Sequence, residues 1–532
     1  MNYIKFHFFD LPQNPRWQKQ RNIKIIKKTT WDTWDSNNVI VLELCGLIFF
    51  AQPQTTGGAK HVYVVPGGLE FFFNRFDNIR NAVNCRAVRV GKKSNAHIGT
   101  IISFLVAALT FATINNTMNT HRALTIGLFT DDFFGGVLRA VEVQAAELAK
   151  QGHRVIIIGP KRPVEPLPHG CEYRPVRFLW HKRLADYMGF ISWSDKTVQQ
   201  LTTEYQFDIV HSHNERGSMF LCAKIAKKTG VPHVHTFHSN YAGTHAENPF
   251  FAAISSMVYL PLALMLLGRY SRIKPLRHIH KPQKVQVLEH STFARHDWLM
   301  VAKMAQYVDV YTSPAPFLID IVNECTCGAL NKKGFFIANG ISPEFAAATR
   351  TRALTGPIQF MSCGRLDPEK RIDIIIRAMA KIKGPAITLS IIGNGSQQAA
   401  LQALVKKLGL KKRVKFLGRI NNREQLAKEY ANADIFLFPS YHFETQGLVL
   451  GEAACAGEAI IYCDERLKVG VNPHNSLFVA PTTLAFADAM QALITDKKQV
   501  RAMQAASKKL CAPLSPTAMA QKMLALYYGL LQ

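Results

Sequence analysis

What most constrains this chain is a pattern that starts at residue 123 and runs twice. Short apolar runs of strand length ("ALTIGLF", "HRVIIIG", "FDIVHSH", "PHVHTFH", "VDVYTS", "GFFIANG") alternate with helical stretches such as "VEVQAAELAKQG", which Gly152 closes, and "GSMFLCAKIAKKTG". Apolar runs separated by amphipathic helices read as parallel strands covered on both faces. After a linker at "ISPEFAAATRTRALTGP" a second series follows: "IQFMSCG", "AITLSIIGNG", "VKFLG", "DIFLFPS", "AIIYC" and "LFVA". The expectation is an α/β protein with two tandem Rossmann-like domains, 118–342 and 355–514, facing across a cleft. Sheets of this kind hold ligands at the carboxyl ends of their strands. The last stretch, 515–532, reads as a closing helix opened by Ser515 and Pro516.

Residues 1–117 lack that regularity and form a poorly defined N-terminal extension. Its longest apolar run, "IGTIISFLVAALTFATI" at 98–114, has 17 residues without a charge and follows Arg86, Arg89, Lys92 and Lys93. It reads as a short membrane anchor, as a buried helix, or as sequence upstream of a true start at Met118, after which the strand pattern begins at once.

The chain of 532 residues carries 64 Lys and Arg against 37 Asp and Glu, a net charge of +27. That balance favours an anionic partner: nucleic acid, an acidic membrane surface or a phosphorylated small molecule. No nucleic-acid module or basic–aromatic repeat is present, so nucleic acid is not expected. The ten cysteines are scattered, and only Cys325 and Cys327 lie close together. Zinc sites and disulfide frameworks need denser spacing, so reduced thiols in a cytosolic protein are expected.

The chemistry concentrates in the second domain. In "FETQGLVLGEAACAG", 443–457, Glu444 and Glu452 flank seven uncharged residues. A helix from Leu448 would bury Leu448, Ala453 and Ala456, carry Glu452 on one flank and leave Glu444 in the preceding loop. The acids then bracket a helix N-terminus, whose free N–H groups suit a phosphate, and they are left to hold hydroxyl-rich parts of the same ligand. That ligand is a sugar nucleotide. "GRLDPEKR" places Arg365 and Lys370 after the turn at Gly364, either to grip a diphosphate or as a solvated basic loop. "IIGNG", with Gly393 and Gly395, lets backbone approach a ligand or forms an ordinary turn.

In this order and at these separations, "GRLDPEK", "IIGNG", "FLG" at 416–418, "FPS" at 438–440 and the Glu444–Glu452 pair resemble the retaining nucleotide-sugar glycosyltransferases of family four, which have the two-domain B-type fold. The resemblance runs from about residue 118 to the end. It implies that Arg365 and Lys370 hold the donor diphosphate, Glu452 the ribose hydroxyls and Glu444 the transferred sugar. The backbone of Gln446, Gly447, Leu448 and Val449 would cap the phosphate. In the first domain "TDDFFGGVLRA" stands where the family keeps its glycine-bearing loop. Gly135 and Gly136 would then let main chain approach the donor phosphates, with Asp131 and Asp132 on the acceptor side and not as metal ligands. His238 in "HTFHSN" falls where a histidine lies beside the reacting sugar. Transfer with retention, no metal and no cofactor beyond the donor substrate are implied. Two departures stand out: Gly451 replaces a bulky apolar residue, and Glu458 with Ala459 replaces a small residue and proline. Glu458 is expected to bring negative charge near the donor helix.

"PFFAAISSMVYLPLALMLLG", Pro249 to Gly268, is 20 residues without a charge, followed by Arg269, Arg272, Lys274, Arg277, Lys281 and Lys284 with no acid among them. It reads as an interfacial helix on an anionic leaflet or as a core helix, and Pro261 argues against a straight span. "TDDFF" and "FETQGLVLGEA" resemble the diacylglycerol glucosyltransferase branch. The expected function is therefore transfer of a hexose from UDP-glucose or a similar donor to a membrane lipid such as diacylglycerol, by an enzyme peripheral on the inner face of the cell membrane. The alternatives are a GDP-mannose-dependent enzyme acting on phosphatidylinositol or a glycan, and a non-catalytic nucleotide-sugar-binding protein.

Overall fold

The computed structural model describes residues 5–6, 40–44, 47–52, 61–65, 122–132, 135–161, 167–179, 189–247, 249–283, 292–350, 356–383 and 387–532. The apolar run 98–114 and Lys284 lie outside them. The chain divides into two compact units, Met1–Arg122 and Ala123–Gln532. In the first, four short strands (Lys5–Phe6, Ile40–Leu44, Leu47–Gln52 and His61–Val65) form one sheet.

The second unit contains two parallel sheets. The first is built from β1 (Thr125–Phe129), β2 (Arg154–Pro160), β3 (Cys171–Val176), β4 (Ile209–Ser212), β5 (His233–Thr236), β6 (Val310–Ser313) and β7 (Gly334–Phe336), in the spatial order β7-β6-β5-β4-β1-β2-β3. The second has β8 (Gln359–Cys363), β9 (Thr388–Ile392), β10 (Val414–Gly418), β11 (Ile435–Phe438), β12 (Ala459–Tyr462) and β13 (Ser476–Phe478), in the order β10-β9-β8-β11-β12-β13. In both sheets the order reverses beside the first strand, between β1 and β4 and between β8 and β11. Ligands of doubly wound sheets collect at that reversal, outside the carboxyl ends.

Strand composition follows from burial on both faces. β2 is buried from Val155 onward, and its Ile156 and Ile158 join Phe129, Val210, Leu221 and Ile225 in one core. In the second sheet Phe360, Leu389, Leu437 and Ile461 pack on one side against Ile375, Ile376 and Met379. Met361, Phe436 and Phe438 pack with Leu450 and Ala453 in a separate core.

Four helices matter for function: α1 (Gly136–Lys150), α2 (Gly217–Thr229), α3 (Leu448–Ala456) and α4 (Pro516–Leu531). Ser515 caps α4, accepting from Ala518 N at 3.2 Å. This last helix returns to the first domain, where Gln144 Nε2 donates to Tyr527 Oη at 3.0 Å and Thr517 Oγ1 to Glu147 at 2.8 Å. One expectation is corrected here: Cys455 in α3 and Cys511, 56 residues apart, are joined as a disulfide with Cα atoms at 4.7 Å. Spacing along the sequence cannot reveal such a pair, because packing of α3 against the helix Lys497–Lys509 brings the two together. The other six described cysteines are free.

Candidate active site

The loop before α3 is the seam between the two domains. Thr445 Oγ1 donates to the carbonyl of His238 at 2.6 Å, and Asn240 Nδ2 to the carbonyl of His442 at 3.1 Å. Gln446 accepts from Asn339 N at 2.9 Å. A Cβ on Gly136 would lie 3.5 Å from Leu448 Cδ1, so the glycine loop of the first domain sits against the first residue of α3. Gly447 caps that helix in the left-handed region at φ 72°; no side chain caps it and no acid stands in its first turn. The N-terminal N–H groups and the positive end of the dipole are thus presented to the cleft. Ala453 and Ala456 are buried as expected, whereas Leu448 and Val449 are only partly buried at the cleft wall.

Two of the expected residues meet on the second domain's side of this seam: Lys370 forms an ion pair with Glu444, while Ser440 Oγ donates to Glu444 at 3.3 Å. Lys370 Nζ also lies 4.9 Å from the centre of the Phe443 ring. Arg365 is 47% exposed and bonded within its own loop, to Asp367 at 2.5 Å and to Glu369. It must exchange at least one of these partners to reach a phosphate. Gly364 has no atom within 4 Å of a notional Cβ and is open. Gly393 and Gly395 are crowded by main chain. A Cβ on Gly393 would fall 1.8 Å from the carbonyl oxygen of Gly364, and one on Gly395 2.5 Å from the backbone of Leu366. These glycines make room for neighbouring main chain.

The acids of the first domain hold the loop in place. Asp131 is buried, and its two oxygens accept from Ile191 N at 2.7 Å and Ser218 N at 2.9 Å. Burial raises its pKa to about 6 against the opposing pull of Arg216. Asp132 is held by Arg216 and by Asn214 Nδ2 at 3.0 Å. Both tie the loop to the segment around α2. Gly135, at φ 98°, is open. His238 lies two residues past β5 at the seam, and burial lowers its pKa to about 4.

Glu452 is largely buried, accepts from Tyr430 Oη at 3.1 Å and pairs with Arg423 at 3.3 Å. Burial raises its pKa, while Arg423 and, from the first domain, Arg139 oppose that shift. Arg423 and Arg139 were not singled out by motif; only their charge and helical position were visible. The two departures from the family pattern have structural answers. Ile341 fills the space at Gly451, with Cδ1 2.7 Å from a notional Cβ. Glu458 lies past Gly457 at the carboxyl end of α3, away from the donor end, and burial beside Asp434 pushes its carboxyl toward the neutral form. Among the described residues one group has metal-like proximity: His442, Asp464 and Glu465. Asp464 is already held there by His442 N at 2.8 Å and Arg466 at 3.1 Å, so the cluster is internally compensated.

The apolar stretch forms helices Pro249–Ile254 and Leu260–Tyr270 joined by a π turn, Ser255–Tyr259, just before Pro261. A π turn is a common answer to an interrupted hydrogen-bond ladder. Ala252, Ser256, Leu260, Ala263 and Leu267 face inward, while Phe250 (69% exposed), Met257, Val258, Leu262 and Met265 face outward. Arg269 in its last turn and Lys274, Arg277 and Lys281 beyond it are exposed. Among the described residues Ala252–Tyr270 alone has the length and composition to cross a membrane.

Comparison with known proteins assigns this architecture. Residues 134–345 match the family described as Glycosyltransferase Family 4, and residues 347–510 match Glycosyl transferases group 1. An uncharacterized glycosyltransferase of Methanocaldococcus jannaschii is 38% identical over 331 residues, 62% of this chain and 76% of that protein. Alpha-monoglucosyldiacylglycerol synthase of Streptococcus pneumoniae is 23% identical over 358 residues, 64% and 70% of the two chains. In fold, the crystal structure of Anabaena HepE in complex with UDP-glucose aligns with a TM-score of 0.55 at 16% identity, over 76% of this chain and 100% of that one. The chain therefore belongs to the family 4 and group 1 glycosyltransferases, with the two-domain B-type fold.

Proposed function

We propose that this glycosyltransferase moves a hexose from a nucleoside-diphosphate sugar, UDP-glucose or a close analogue, to a membrane lipid such as diacylglycerol, with retention at the anomeric carbon. The observation that carries the reading is the meeting of Lys370 and Glu444 beside the uncapped N-terminus of α3. A donor diphosphate entering there draws Lys370 from Glu444 and takes the helix end as its second positive partner. Arg365 joins it on leaving Asp367. Glu444, released, accepts from the sugar hydroxyls, and the neutral imidazole of His238 lies on the opposite wall. The bond from the anomeric carbon to the β-phosphate oxygen breaks as the acceptor oxygen attacks from the same face, and the acceptor proton passes to the departing diphosphate. The residues named need no metal for this step, since cationic side chains and a helix dipole offset the developing charge.

The lipid acceptor is supported by the pneumococcal relative, a diacylglycerol-directed enzyme by name, and by the outward apolar face of Ala252–Tyr270 beside four exposed basic residues. Apolar insertion and about 1 kcal/mol per basic residue add in binding an anionic leaflet. The enzyme on this reading works at the cytoplasmic membrane surface. The test is incubation of the full chain with labelled UDP- and GDP-sugars and vesicles containing diacylglycerol and phosphatidylglycerol, followed by organic extraction. Label in the organic phase is expected; label confined to water with every donor would sink the lipid acceptor.

A further inference from the structure

Neighbouring parallel strands β4 and β5 run off their carboxyl ends into His213 and His238. Register sets His211 beside Val234 and Ser212 beside His235, so alternation sends His211 and His213 to the same face as Thr236 and His238. Three imidazoles form a column there. His211 stacks on His213 with centroids 4.2 Å apart, and His213 on His238 at 5.4 Å, both tilted by 26°. The far end is pinned: His211 Nδ1 is 2.6 Å from Tyr527 Oη and its Nε2 is 2.7 Å from Thr236 Oγ1. At the cleft end His213 Nδ1 lies 3.1 Å from His238 Nε2, while Nε2 of His213 is buried without a partner.

Burial keeps both rings neutral near pH 7, so the short contact between them holds a single proton. Two arrangements share it. If His238 Nε2–H donated, His213 would have to keep its own proton on Nε2, an N–H buried with no acceptor. If His213 Nδ1–H donates, only an unused lone pair is left at Nε2. Buried orphan N–H groups are rarer than underused acceptors, so the second arrangement is preferred. A neutral His238 that accepts at Nε2 must carry its proton on Nδ1.

We propose that His213 is a positioning residue for the transfer: it donates Nδ1–H to Nε2 of His238, fixes the Nδ1–H tautomer of that ring and so presents the sugar with a hydrogen-bond donor. The role rests on His238 lying beside the transferred sugar, as in the function proposed above. Tyr527, from the last helix, buttresses the column through His211 and couples the end of the chain to the site.

Long-range ¹H–¹⁵N spectra of the full chain labelled at histidine, combined with kinetics of His213→Asn and His213→Leu, test this. His238 should show its proton on Nδ1 in the wild type. Asn presents an amide N–H near the position of Nδ1, so His213→Asn should keep kcat within about threefold, while His213→Leu should lower it at least about tenfold with little change in donor KM. The inference is overturned by an Nε2–H tautomer of His238, by wild-type kcat in His213→Leu, or by equal loss in both variants at unchanged Tm. The tautomer is read without turnover. An inactive wild type would therefore refute the transferase reading, and the wrong tautomer would refute this one.

Discussion

Lys370 and Glu444 neutralise each other at the seam, and removing either leaves the other charge uncompensated where the donor must bind. Lys370→Ala and Glu444→Gln should each reduce kcat at least about a hundredfold, the size expected for lost charge stabilisation in a transition state. Steady-state release of nucleoside diphosphate checks this, and near-normal rates would refute both roles. These two residues were legible because each sits in a short motif of fixed spacing. Arg423, Arg139 and His213 were not, since each reaches the site from a separate element and acquires its role only through packing. The structural bonds of Asp131 were hidden for a similar reason. Acids beside a glycine loop resemble ligands in the sequence, but nothing there reveals that Ile191 and Ser218 present N–H groups that need an acceptor.

Among the elements, α3 was the most legible. Gly447 and Gly457, at φ 72° and 87°, bound its nine residues, and left-handed backbone at both ends is what glycine permits. The β8 and β9 turns were less so, because a glycine that admits a ligand and one that admits the next loop look alike in sequence. Gly393→Ala, at φ 129° and 1.8 Å from the Gly364 oxygen, should destabilise the fold by at least about 2 kcal/mol, read as a lowered Tm. An unchanged Tm would contradict that close packing. The apolar helix was legible as a length of uncharged sequence, but its two faces were not, for apolar residues occupy both. Met257→Glu with Met265→Glu should weaken cosedimentation with anionic vesicles at least about tenfold while leaving Tm unchanged, because both side chains face outward. Undiminished vesicle binding would contradict the membrane role.

Across the whole molecule, buried imidazoles govern the response to acid. Burial holds His211, His213 and His233 well below the usual 6.5 and lowers His238 to about 4. The unfolded chain takes up protons first as pH falls from about 6.5 to about 4, so stability contributed by these groups is lost across that window, by up to about 1.4 kcal/mol per pH unit for each. Asp131 acts in the opposite sense. Its raised value of about 6 means that the folded state keeps a proton the unfolded chain releases, which adds stability as pH falls through the same range. Burial raises Asp297, Glu452 and Glu458 likewise, but His153 and His442 join the lowered imidazoles, and six of these against four such carboxyls mean that Tm should fall as pH is lowered from about 7 to about 4.5; a flat or rising Tm would contradict the assignment. Transfer from a nucleotide-sugar donor at the seam between the domains to a lipid is followed in a single assay. The full chain is given diacylglycerol vesicles and labelled UDP-glucose, and nucleoside diphosphate and extracted lipid label are counted together. The account predicts equal amounts of both, lost together in Lys370→Ala. No release from UDP-glucose, or release indifferent to Lys370, would contradict it.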